Sequence, residues 1–115
     1  QLGWARGLDY ATYDPNGDPW FGFPCVRELE GLPADLLLVS LPGHTRGHAG
    51  VAVRLGERWL LHCGDAYFHH AEMQPEPSRP RAHALFQRFA VVDDATRRRS
   101  QEELRQLVQS HGDEV

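Results

Sequence analysis

The segment Leu41-Pro42-Gly43-His44-Thr45-Arg46-Gly47-His48, followed two short apolar runs later by Gly64-Asp65, constrains this chain more than any other stretch. Two histidines four apart would share a helical face, but Pro42, Gly43, Gly47 and Gly50 oppose a helix there. The segment therefore predicts a loop. Apolar runs flank it, Leu36 to Leu41 before and Val51 to Leu55 after, so it joins two strands and holds its imidazoles at a sheet edge. The next run, Arg58 to Cys63, ends in Gly64-Asp65 and brings a carboxylate to a second strand end. Imidazole and carboxylate at neighbouring strand ends form a ligand set suited to zinc, manganese or iron.

At these residues the chain resembles the metallo-β-lactamase superfamily of metal-dependent hydrolases. The shared pattern is a buried strand, Pro-Gly-His-Thr-x-Gly-His, a strand, and a hydrophobic strand closing on Gly-Asp; it is firm from Leu32 to Phe68. The resemblance implies that His44 ligates a metal and that Asp65 ligates both ions of a dinuclear site. His48 then stands next to the site, in a supporting or substrate-facing role or in plain packing. Thr45 is expected to support the loop by hydrogen bonding, because a ligating imidazole usually has its second nitrogen fixed by an acceptor. One departure is prominent: the family's first metal motif, His-x-His-x-Asp-His, occurs nowhere in the chain.

The implied fold is α/β, the second half of an αβ/βα sandwich, with a mixed sheet covered by helices. The implied chemistry is hydrolysis of an ester, thioester, lactone or related bond, with water activated on one or two divalent ions at neutral pH as the nucleophile. Two protein ligands fall short of the three that a catalytic zinc site typically has. The chain also opens on Gln1, and its one methionine is Met73. The expectation is a C-terminal portion of a longer hydrolase, its missing amino-terminal half being the first partner and a small molecule the substrate. The alternative is a non-catalytic binding or structural domain of the same fold that has lost its first metal motif.

At 115 residues the chain is one domain's worth, enough to bury roughly two-thirds of its unfolded surface. A net charge of −4 makes nucleic acid an unexpected partner. No apolar run approaches a membrane span, and no leader is visible. Cys25 and Cys63 lack zinc-finger or redox spacing, so two free thiols in a cytoplasmic protein are expected.

Residues 1–31 read as irregular chain packed by aromatic rings, with Val26 to Leu29 as a short strand. Asp14-Pro15-Asn16-Gly17-Asp18 begins like a calcium loop but has Pro19 and Cys25 where glycine and glutamate belong, so a turn is expected. Residues 32–72 carry the strands and metal-site loops, with Leu36 to Val39 covered on both faces and Gly56-Glu57 turning a hairpin. Residues 73–80 hold Pro75, Pro77 and Pro80 and form a connector. Residues 81–115 predict two helices. The first carries Ala82, Leu85, Phe86, Phe89 and Ala90 on one stripe. The second is capped by Asp94 and buries Leu104, Leu107 and Val108. Arg97-Arg98-Arg99 is expected to be a solvated face, Arg98 and Arg99 pairing with Glu102 and Glu103.

The remaining histidines are weaker candidates. His62 and Cys63 point to opposite strand faces and form no nucleophile–base pair. His69 and His70 read as an exposed loop pair. His111 resembles a late metal-binding histidine of the family, but it continues the helical stripe and precedes Gly112, so a helix-terminal role is favoured. Unpaired strand faces would also favour a homodimer.

Overall fold

A computed structural model describes residues 7, 11–74, 76 and 91–115. Four strands form one sheet in the order of the chain: β1 (Cys25–Val26), β2 (Leu36–Ser40), β3 (Ala49–Leu55) and β4 (Arg58–His62). Every neighbouring pair is antiparallel, so the described sheet is a meander and not the mixed sheet expected. A 3-10 turn, His70–Met73, and one helix, α1 (Asp94–His111), complete it. The predicted helix over Ala82 to Ala90 lies outside the described residues.

Alternation along the strands decides which face becomes core. Cys25, Leu37, Val39 and Ala52 share one face and are fully buried, joined by Leu104 and Leu107 of α1 and by Trp20, Phe23 and Leu41. Residues opposite each other in register fall on the same face, so Leu36, Leu38, Val51 and Val53 make up the other. These four are only half-buried, and Leu60, paired with Val53, is 60% exposed. The expectation that Leu36 to Val39 is covered on both faces fails for this reason.

The aromatic segment packs as its composition suggests. Trp20 lies edge-on to Phe21 at 5.0 Å and to Trp59 at 5.7 Å, while Trp20 and Phe23 exchange both backbone hydrogen bonds across a two-residue turn. The strand beside it is shorter than expected, ending at Val26. At the far edge, the Trp59 amide donates to the Glu114 carbonyl at 2.7 Å, so the C-terminal turn closes part of the β4 edge.

Helix α1 begins one residue earlier than the sequence implied. Asp93 is the cap, its carboxylate accepting from the Thr96 amide at 3.1 Å and the Thr96 hydroxyl at 2.7 Å. Val108, expected inside, is 56% exposed, and the buried stripe runs through Arg97, Ser100, Gln101, Leu104 and Leu107 instead. Arg97 is therefore no part of a solvated face. Its guanidinium grips Asp94 at 3.1 and 2.6 Å. Arg98 also turns back to Asp94, at 2.8 Å, and Arg99 pairs with Glu103 as expected.

Candidate metal centre

The loop between β2 and β3 has almost no freedom left, because each carbonyl from Leu41 to Thr45 has a donor. The Leu41 carbonyl accepts from His48 Nδ1 at 2.7 Å, that of Pro42 from Ser100 Oγ at 2.8 Å, and that of Gly43 from the Asp93 amide at 3.0 Å. The His44 carbonyl accepts from the Val92 amide at 3.1 Å. The Thr45 carbonyl accepts from the amides of Gly43 and His48. Buried peptide groups need such partners, and a loop that lacks strand pairing must find them elsewhere. Here α1 and its lead-in provide most of them.

Two glycines, each next to a candidate ligand in sequence, are required by close approach. A Cβ on Gly43 would lie 2.3 Å from both N and Cα of Arg97, and its φ of +130° is itself hostile to side chains. A Cβ on Gly64 would stand 2.7 Å from His48 Nε2. Both glycines of the motif thus exist because another part of the chain passes through the space a methyl group would occupy.

The structure brings His44 and Asp65 together. His44 Nε2 lies 3.5 Å from Asp65 Oδ2, with the imidazole mostly buried and the carboxylate open to solvent. That separation is long for an N–H···O hydrogen bond, which centres near 2.9 Å. It matches the edge of a tetrahedron around zinc, about 3.4 Å when each ligand atom stands ~2.1 Å from the ion. The pair therefore fits two donors on one divalent cation better than it fits a direct hydrogen bond. The His44 ring is held edge-on by His48 and by Phe68, each at a centroid distance of 5.8 Å. Its Nδ1 is buried and has no hydrogen-bond partner among the described residues.

His48 has a defined task. The Asp65 amide can only donate, and it donates to His48 Nε2 at 2.9 Å. Nδ1 must then carry the ring proton and give it to the Leu41 carbonyl. The ring ties the root of the loop to the Asp65 turn with both nitrogens committed, which leaves no lone pair for a cation. Thr45 helps through its main-chain carbonyl and not through its exposed hydroxyl, so the expected acceptor for the second imidazole nitrogen of His44 is absent among the described residues.

The other candidates stay apart from this pair. Among the described residues no group of three His, Cys, Asp or Glu side chains is placed to hold a metal. His111 packs on Phe21 at 4.8 Å and contacts Glu114 at 2.9 Å. His69 caps the 3-10 turn through Nδ1 and stacks on His70 at 4.4 Å. His62 Nδ1 accepts from the Gly64 amide at 3.2 Å. Both cysteines are free, and burial pushes the Cys63 thiol up to about 11, far from a nucleophile's range. Sequence reasoning missed the buried polar residues beneath the site: Glu72, Arg97, Ser100 and Gln101.

No protein-family profile matches the chain, and no solved structure does. No described helix is long and apolar enough to cross a membrane. Two curated proteins are similar to it, each named a probable metallo-hydrolase, one from Mycobacterium bovis and one from Mycobacterium tuberculosis. Each is 50% identical over 66 residues, which make up 57% of this chain and 21% of the relative, so the matched region spans about a fifth of those proteins.

Proposed function

We propose that this chain contributes His44 and Asp65 as ligands to the divalent-metal centre of a metallo-β-lactamase-type hydrolase acting on an ester, thioester, lactone or related bond of a small molecule. The observation that carries this reading is the 3.5 Å approach of His44 Nε2 to Asp65 Oδ2, at two positions that the family pattern singles out. Similarity to two proteins named probable metallo-hydrolases supports it.

Zinc, as one ion or two, suits the donors best, with manganese and iron the other candidates. When bound, a divalent ion supplies Lewis acidity, favouring deprotonation of water near neutral pH and polarising the bond to be cleaved. The protein's own part is positional. His44 offers Nε2 from a clamped loop, Asp65 offers its carboxylate on the solvent side, and His48 fixes the Asp65 main chain. The remaining ligands come, in this reading, from polypeptide beyond these 115 residues, which also packs on the half-buried face of the sheet. The acidic balance disfavours nucleic acid as a substrate, and the free thiols suit a reducing compartment such as the cytoplasm.

Calorimetric titration with zinc tests the ligand assignment. The 115-residue chain should bind weakly and turn over no ester, and His44→Ala or Asp65→Ala should abolish the binding. Equal binding by the native chain and both variants would overturn it, and tight stoichiometric binding with esterase activity would overturn the view that the site is partial. The second reading is a non-catalytic binding or structural domain of this fold that has lost its first metal motif, His-x-His-x-Asp-His, which these 115 residues do not contain. A longer polypeptide containing this chain that hydrolyses no ester, thioester or lactone in saturating zinc would select it.

A further inference from the structure

We propose that Ser100 and Gln101 are positioning residues: adjacent on α1, they fasten the His44 loop and the Asp65 turn to one helix and so set the separation of the two candidate ligands. The consequence for metal binding rests on the reading above; the fastening itself does not. Ser100 Oγ donates to the Pro42 carbonyl at 2.8 Å, two residues before His44. Gln101 Nε2 donates to the carbonyl of Ala66, the residue after Asp65, at 2.8 Å. The second proton of that amide goes to Glu72 Oε2, also at 2.8 Å. Both side chains are buried, at 4% and 5% exposure.

A glutamine amide has two N–H donors, and here each has a buried acceptor, so the side chain cannot rotate without stranding polar groups. His44 and Asp65 both lie beyond strand ends, where sheet register no longer dictates spacing. The helix supplies that spacing. Its lead-in holds the next two loop carbonyls through the amides of Asp93 and Val92, and its backbone at Arg97 abuts Gly43 with no gap. Packing alone would be served by apolar residues at 100 and 101. Two polar side chains whose donors reach different ligand-bearing turns do something packing does not: they hold the turns at a fixed mutual distance.

The test compares the native chain with Ser100→Ala and Gln101→Leu, using Leu107→Ala as the packing control about two helical turns away. The first readout needs no metal. Amide hydrogen exchange at Asp65, bonded to His48, should quicken roughly tenfold relative to strand amides in Gln101→Leu, and exchange at Asp93, bonded to Gly43, should do so in Ser100→Ala. Leu107→Ala should leave both ratios unchanged. The second readout is manganese titration followed by paramagnetic broadening. In the native chain His44 and Asp65 should broaden together; the two variants should weaken that binding by roughly ten- to a hundredfold, and the control should stay within about twofold. Unchanged exchange ratios together with manganese binding within about twofold in both variants would overturn the proposal. Should Gln101→Leu fail to fold, Ser100→Ala decides. If the native chain shows no shared broadening, the metal reading fails, and the exchange ratios alone decide whether the helix holds the two turns.

Discussion

Gly43 shows how much of the candidate site rests on an absent methyl group. Because its Cβ would fall on the Arg97 backbone and its φ is +130°, Gly43→Ala should destabilise the fold by about 3 kcal/mol or more, measured by urea unfolding. Gly47, with open space around it and no positive φ, should tolerate alanine far better. Cys63 gives a second residue-scale prediction. With its pKa near 11, roughly one molecule in three thousand carries the thiolate at pH 7.5. Iodoacetamide should therefore modify Cys63 slowly in the folded chain and quickly in urea, as followed by mass spectrometry; rapid labelling of the native protein would contradict the raised pKa of this half-buried thiol. The positions of His44 and Asp65 were legible in the sequence because each closes an apolar run. The role of His48 was legible only as proximity: that its two nitrogens bridge Leu41 and Asp65 depends on how the loop folds back, which spacing alone does not encode.

Helix α1 exposes the limit of reading apolar periodicity. Leu104 and Leu107 marked its inner face, yet the same stripe continues backwards through Gln101, Ser100 and Arg97, at offsets an amphipathic helix demands. Their polarity conceals them, and apolar periodicity alone points Val108 inward in their place. Burying these polar groups is possible only because each meets a partner in the loop, the Asp65 turn or the acidic residues beside them. The start of the helix should be sensitive to acid. Hydrogen bonds from Thr96 hold the Asp93 carboxyl below its ordinary value, and those from Arg97 do the same for Asp94. Folding thus favours the ionised forms. Their contribution is present above the unfolded pKa of about 3.9 and is lost as pH falls through the lower folded values. Protection from exchange at the amides of Thr96 and Arg97, taken relative to the intrinsic rate at each pH, should fall below about pH 4, before that of the strand amides. Asp93→Ala should lower stability at pH 7, as read by urea unfolding, and blunt that response.

At the scale of the whole molecule, the sheet has one finished face and one unfinished. Residues 104 and 107 of α1 cover the first, while Leu36, Leu38, Val51, Val53 and the exposed Leu60 leave the second apolar and only half-buried among the described residues. The 115-residue chain should consequently self-associate, with light scattering showing mass rising with concentration; a monomer at millimolar concentration would contradict this. An α/β fold was legible from strand and helix patterning. The meander was less so, since antiparallel and mixed pairings of short apolar runs read alike in sequence. The proposed chemistry converges on one point between a loop imidazole and a turn carboxylate. The direct measurement is an anomalous-scattering map from crystals grown in millimolar zinc. The expected result is a zinc peak in contact with both His44 Nε2 and Asp65 Oδ2; zinc held only elsewhere, such as at the stacked His69 and His70, or no peak at that point, would contradict it.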